Sequence, residues 1–119
     1  MRRDAATCGA RLVLAGWLFA AAAAQGAPLG EADELARGRA ALRAMDCARC
    51  HGRDYDGWAA PSLVAAVRDA PRERFDRFVL DGNIGAGMPG YRGQPLVVRE
   101  LDAMYAYLKA RAKDDTAAR

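Results

Sequence analysis

The sequence contains a single histidine, His51, and beyond residue 26 it contains only two cysteines, Cys47 and Cys50. Without a second histidine or a Ser/His/Asp set, the chain lacks an obvious general base for acid–base or nucleophilic catalysis. It also lacks internal repeats and a glycine-rich loop that could cradle a phosphate. A structural zinc ion usually takes four Cys or His ligands, whereas the chain beyond residue 26 offers only three. We therefore do not expect an enzyme or a zinc module.

The chain also lacks an apolar run long enough to span a bilayer comfortably. Residues 12–24 form an uninterrupted apolar run of 13 residues, whereas a spanning helix needs about 20. Arginines precede the run and small residues follow it, which is typical of a cleaved secretory signal. We predict a signal peptide over 1–26 and one domain over 27–119, with its folded core at 31–112. An uncleaved membrane anchor formed by 12–24 is the alternative.

Strong charge of one sign is also missing. The whole chain has a formal net charge of +3, which falls to +1 once three arginines and one aspartate leave with the leader. The remaining chain has only two lysines, Lys109 and Lys113. This balance gives no case for nucleic-acid binding. We expect a periplasmic monomer that does not insert stably into the membrane once the signal is removed.

What the sequence does contain is the pentapeptide Cys47-Ala48-Arg49-Cys50-His51, which has the spacing of a c-type haem attachment site. Two thiols three positions apart reach the two vinyl groups of one porphyrin, and the next residue projects its imidazole towards the iron. The motif predicts one covalent haem c bound through Cys47 and Cys50, with His51 as an axial ligand. A redox dithiol is the alternative for the two cysteines, but no strand–helix–strand pattern surrounds them. An incidental match is the other alternative.

Met88 is the candidate for the other axial ligand. His51 is the only histidine, so ligation by two histidines of one chain is impossible. Met45 lies two residues before Cys47, and Met104 falls within an apolar helical stripe. Met88 instead lies in a glycine-rich loop, where packing gives no reason for a methionine, and its thioether can bind haem iron. The alternative is an open or water-ligated iron.

The pattern of apolar residues predicts an all-α fold. The predicted helices are marked by an acidic first turn, by apolar stripes at helical spacing, and by glycine and proline near their ends. Gly38 costs about 1 kcal/mol within a helix, which suggests close approach of another element, although simple tolerance is the alternative. We expect the Pro61 carbonyl to accept a hydrogen bond from His51 and Tyr107 to pack near Gly38. The predicted helices cover 32–46, 62–68, 72–80 and 95–112, with an irregular loop at 81–94 and a solvated tail at 113–119.

These residues together resemble a class I cytochrome c over about 31–112. The resemblance rests on the first helix with Gly38, on the haem motif, on Ala60-Pro61-Ser62-Leu63, on Gly87-Met88-Pro89 and on Ala106-Tyr107-Leu108. It implies an all-α class I cytochrome c fold whose first and last helices cross near Gly38, with covalent haem c in the core. It also implies that Cys47, Cys50, His51 and Met88 bind the haem, with His51 and Met88 on its iron.

The function that this resemblance implies is one-electron transfer by a soluble carrier. Segments 57–63 and 105–111 are similar to small cytochromes that accept electrons from periplasmic PQQ-dependent alcohol dehydrogenases. We expect transient docking with periplasmic redox proteins and electron flow from such a dehydrogenase towards a terminal oxidase. The alternatives are a haem subunit anchored in a membrane redox complex, and a haem sensor or peroxidase-type protein with a labile sixth ligand.

Overall fold

The computed structural model describes residues 29–118, so the predicted signal peptide at 1–26 lies outside the described residues. Within 29–118 the chain is helical, and its one β-type pairing is an isolated bridge between Asn83 and Met88. This confirms the prediction of an all-α fold. The elements are α1 (Leu29–Ala44), α2 (Ala48–His51), α3 (Leu63–Asp69), α4 (Arg72–Asp81), a single 3₁₀ turn (Ile84–Ala86) and α5 (Pro95–Ala117).

Helices α1 and α5 form the most extensive helix–helix contact in the described chain, and Gly38 lies where they cross. A Cβ atom built on Gly38 would lie 1.9 Å from the carbonyl oxygen of Ala103. The two backbones can approach this closely only because residue 38 has no side chain. The predicted close approach is therefore confirmed. The Tyr107 ring packs edge-on against Tyr55, with 6.3 Å between ring centroids, and its packing near Gly38 stays a prediction.

The core lies where α1, α3 and α4 pack on α5. The largest fully buried side chains come from three of these helices: Leu42, Val64, Val67, Val97, Met104 and Leu108. Helix α4 contributes Phe75 and Val79, both 7% exposed, and the Phe75 ring lies 5.3 Å from that of Tyr105. Arg72 joins α4 to α5, because its guanidinium donates to Asp76 at 2.6 Å and to Asp102 at 2.5 Å.

The helix limits differ from the sequence-based prediction at both ends of the fold. Helix α1 ends at Ala44, two residues earlier than predicted, and the following turn gives Asp46 a φ of 54°. Helix α5 continues to Ala117, so the predicted end of this helix at residue 112 is wrong, although most of residues 113–118 are exposed to solvent as predicted. Tertiary contact supports the extra helical turn, since Arg68 of α3 lies 3.6 Å from Asp115.

Among the helices of residues 29–118, none is both long enough and apolar enough to cross a membrane. The predicted apolar segment 12–24 belongs to the part of the chain that the structure does not describe.

Candidate functional site

The pentapeptide from Cys47 to His51 folds as one helical turn. Cys47 has helical dihedral angles (φ −58°, ψ −32°) and precedes α2, which ends at His51. The backbone N–H of His51 donates to the Cys47 carbonyl at 3.1 Å. Gly52 then adopts a φ of 86°, a left-handed value that favours glycine and ends the helix. The turn therefore brings both thiols and the imidazole together on one short element.

The loop after His51 folds back onto the same turn. The N–H of Gly57 donates to the His51 carbonyl at 2.8 Å, and the N–H of Ala60 donates to the Cys50 carbonyl at 2.9 Å. These bonds satisfy carbonyls that the end of α2 leaves without helical partners. Ser62 then caps α3, since its hydroxyl accepts from the N–H of Ala65 at 3.0 Å. The returning chain thereby brings Pro61 beside the His51 ring.

The His51 ring is oriented by Pro61, as the sequence predicted. Its Nδ1 atom lies 2.7 Å from the Pro61 carbonyl oxygen. A carbonyl oxygen can only accept a hydrogen bond, so Nδ1 must carry the proton and donate it. The neutral imidazole then has its lone pair on Nε2, the atom that is left for a metal.

All four predicted site residues line a single cleft. The cleft is partly open to solvent. The lining is mostly apolar, and the histidine and one aspartate, Asp46, are its only ionisable side chains besides the two cysteines and a tyrosine. This lining fits a flat apolar macrocycle whose iron takes one sulfur ligand and one nitrogen ligand from the protein. The lining residues are Leu42, Met45, Asp46, Cys47, Cys50, His51, Ala59, Ala60, Leu63, Phe75, Val79, Ala86, Gly87, Met88, Pro89, Tyr91, Val97 and Met104.

Met88 enters this cleft from the loop between α4 and α5. Its side chain is half-buried, although most of its neighbours in the loop are exposed. The backbone of Met88 pairs with that of Asn83 through two hydrogen bonds: Asn83 N–H donates to the Met88 carbonyl at 2.9 Å, and Met88 N–H donates to the Asn83 carbonyl at 3.0 Å. The loop was predicted to be irregular, but the residues around Met88 have a defined backbone.

No disulfide joins Cys47 and Cys50 within the described residues. Burial raises the pKa of the Cys47 thiol to about 11, and the negative charge of Asp46 acts in the same direction. Redox dithiols owe their reactivity to a lowered thiol pKa, so this environment does not favour the dithiol alternative. Burial likewise raises the pKa of the Tyr91 phenol, with Cys47 and Cys50 adding to the shift. Tyr91 therefore lies close to the cysteine pair.

Sequence reasoning did not name every residue of the cleft lining. Val97 lines the cleft and is 1% exposed. It lies four residues before Leu101, so extending the apolar stripe by one turn would have found it. The side chain of Trp58 is 83% exposed and does not belong to the cleft lining. No local signal distinguishes an exposed tryptophan from a buried one.

Comparisons with known proteins agree with this geometry. The family model described as cytochrome c oxidase, cbb3-type, subunit III matches residues 33–108. Cytochrome c55X of Paracoccus denitrificans is 37% identical over 93 residues, which cover 76% of this chain and 84% of that protein. Cytochrome c-555 of Methylococcus capsulatus is 31% identical over 67 residues, which cover 56% of this chain and only 53% of that protein. No solved structure matches the chain significantly.

The chain therefore belongs to this family of c-type cytochrome domains. Membership confirms the prediction of a small c-type cytochrome with covalent haem c, and Cys47 and Cys50 have the spacing of its attachment motif. It also confirms a haem-based electron carrier rather than an enzyme. The names of these relatives identify neither the electron donor nor the acceptor of this chain.

Proposed function

We propose that this c-type cytochrome is a soluble one-electron carrier whose haem iron is bound by His51 and Met88. Cys47 and Cys50 would hold the macrocycle by thioether bonds, and His51 Nε2 and the Met88 thioether would bind its iron. The observation that carries this proposal is the convergence of these four side chains on one apolar cleft, with the His51 ring held by Pro61 at 2.7 Å.

The haem supplies an iron that cycles between Fe(III) and Fe(II), one electron at a time. The role of the chain is to set its environment. The Pro61 carbonyl holds His51 in the tautomer that leaves Nε2 free. The thioether of Met88 is a soft ligand that favours Fe(II) and so raises the reduction potential. Leu42, Val97 and Met104, each 1–2% exposed, exclude water from the wall of the cleft.

We place this carrier in the periplasm, because haem attachment of this type occurs outside the bacterial cytoplasm. The donor is a periplasmic dehydrogenase, for which a PQQ-dependent alcohol dehydrogenase is the candidate, and the electrons pass towards a terminal oxidase. Such encounters use small, weak interfaces. The protein acts as a monomer that docks transiently with each partner in turn.

The docking edge that we propose is apolar. Trp58 is 83% exposed and directly precedes Ala59 of the cleft lining. Ile84 is 76% exposed and lies in the same 3₁₀ turn as Ala86 of that lining. Exposed large apolar side chains beside a cofactor cleft are typical of a surface that binds another protein.

Trp58→Ala is expected to lower the rate of electron exchange between oxidised and reduced copies of the protein by about tenfold, the effect of losing one aromatic anchor of an interface. The free energy of unfolding should change by less than about 0.5 kcal/mol, because the side chain is largely solvated. NMR line broadening in mixtures of the two oxidation states measures the rate.

Arg53→Ala is the matched control: Arg53 lies in the same loop and its side chain is 94% exposed, yet it is charged. Equal rates for Trp58→Ala and the wild type would contradict the apolar edge.

The absorption spectrum of the exported protein tests the proposed ligation directly. We expect a low-spin c-type spectrum in both oxidation states, the weak far-red band of Met-ligated ferric haem, and no spectral shift when CO is added to the reduced protein. These results follow because His51 and Met88 fill both axial positions. High-spin bands or rapid CO binding would overturn Met88 ligation and favour the sensor or peroxidase-type alternative.

A second candidate function is favoured by the family model, whose description names a subunit of a terminal oxidase. In that case the chain is a haem subunit held in a membrane redox complex by residues 12–24. The N-terminal sequence of the purified protein separates the two functions. A mature start near residue 27 supports the soluble carrier, whereas a start at Met1 supports the anchored subunit.

A further inference from the structure

We propose that a contact between the two glycines at the base of the Met88 loop keeps the thioether on the iron. The Met88 loop comprises residues 82–90, and its neck is the pair Gly82 and Gly90. The two glycines are positioning residues: they act on the iron only through Met88. This inference rests on the proposed function, since it requires Met88 to be the sixth ligand.

The two sides of the neck are in direct backbone contact. A Cβ atom on Gly82 would lie 2.5 Å from the Gly90 nitrogen and 2.7 Å from the Met88 carbonyl oxygen. A Cβ atom on Gly90 would lie 2.8 Å from the carbonyl carbon and oxygen of Asp81 and from the carbonyl oxygen of Leu80. Real Cβ atoms essentially never approach backbone atoms this closely, so a side chain at either position would force the two sides of the neck apart.

Backbone hydrogen bonds hold the chain on both sides of this contact. Inside the loop, Asn83 and Met88 exchange bonds of 2.9 and 3.0 Å. Outside it, the N–H groups of Tyr91 and Arg92 donate to the carbonyls of Val79 and Leu80, each at 3.0 Å. Those carbonyls lie at the C-terminal end of α4, where helical partners are missing. These four hydrogen bonds therefore fix the backbone of Met88 relative to α4.

Side chains of the loop outside the cleft contribute little to the same placement. Residues 83–85 and residue 90 are exposed and do not belong to the cleft lining. The ion pair between Arg92 and Asp81 also lies on the surface, with side-chain exposures of 65% and 50%, and surface pairs stabilise little. The position of the thioether therefore depends on these backbone hydrogen bonds and on the close contact between Gly82 and Gly90. A methionine–iron bond lost in this way would leave the sixth position open to CO.

Gly90→Ala tests this role with a purely steric change, because Gly90, unlike Gly82 with its φ of +74°, does not have a left-handed φ. The matched control is Gly85→Ala in the same loop, where the nearest atom to a new Cβ is Asn83 Oδ1 at 3.8 Å. Met88→Leu gives the reference for a lost ligand. We expect Gly90→Ala to weaken the far-red ferric band and to raise the rate of CO binding to the reduced protein at least tenfold, towards the value of Met88→Leu. Gly85→Ala should match the wild type in both readouts.

The outcomes separate this inference from the proposed function. Rapid CO binding by the wild type would overturn Met88 ligation itself, and the inference with it. Slow CO binding by both the wild type and Gly90→Ala would leave Met88 ligation intact and overturn the role of the neck. If Gly90→Ala does not fold, hydrogen exchange in the wild-type protein decides: protection of the Asn83 and Met88 amides supports a fixed neck, and exchange at free-peptide rates overturns it.

Discussion

Gly38→Ala is expected to lower the free energy of unfolding by about 3 kcal/mol, at the upper end of the usual cost of overpacking a core. The added Cβ would lie 1.9 Å from the Ala103 carbonyl oxygen, 2.4 Å from its carbon and 2.9 Å from the Met104 nitrogen. All three atoms are backbone atoms in the middle of α5, so no side chain can rotate away. The only relief is to separate α1 from α5, which loosens the most extensive helix contact in the described fold.

Gly30→Ala is the matched control for this prediction. Gly30 lies in the same helix, and nothing lies within 4 Å of a Cβ built there. Since alanine favours a helix over glycine by up to about 1 kcal/mol, this variant should be as stable as the wild type or slightly more stable. Chemical denaturation of the haem-loaded proteins, followed by far-UV circular dichroism, measures both. Equal stability of Gly38→Ala and Gly30→Ala would contradict the tight crossing.

Replacing both Cys47 and Cys50 by serine is expected to leave the chain without covalent haem and largely unfolded. Met45, Leu63 and Tyr91 line the cleft, and the rest of the chain buries them only in part. Without the macrocycle these side chains would face a water-filled cleft instead of an apolar surface. A domain of fewer than 100 residues buries little other core, so the lost contact removes a large share of its stability.

Two measurements check the loss of haem and of structure separately. Haem staining after denaturing electrophoresis reports the covalent bond, and far-UV circular dichroism reports helix content. Cys50→Ser alone is the control, because Cys47 can still form one thioether; this variant should keep stained haem and most of its helix content. A double variant that stays fully helical and unfolds cooperatively would contradict a haem-dependent fold.

The attachment motif and the orientation of His51 could be predicted because they depend on short-range geometry. The spacing of Cys47, Cys50 and His51 is set by one helical turn, and a loop of nine residues brings Pro61 back to the ring. Met88 could be named by elimination, because the sequence contains no second histidine. The helices α3 and α4 were also close to their predicted limits, since Ser62, Pro71 and Gly82 mark their ends locally.

Some features that depend on contacts between distant residues were not predicted. The end of α5 was placed near residue 112, because its last residues favour a helix only weakly. In the structure, Arg68 of α3 faces Asp115 at 3.6 Å, and the Lys109 ammonium donates to the Val67 carbonyl at 3.1 Å. The ring of Tyr107 packs on Tyr55, a contact that the sequence did not predict because the two residues are close only in the folded chain.

The sequence by itself determined the chemistry of this protein: a covalent haem c site at Cys47, Cys50 and His51, and one candidate thioether, Met88, in an all-α chain. These features are encoded within a few residues of one another or by residue identity alone. Only the tertiary structure decided that Gly38 meets Ala103 and that Gly82 meets Gly90. Such contacts join backbone atoms that local propensity does not relate, and they arise only when the helices pack and the Met88 loop closes on α4.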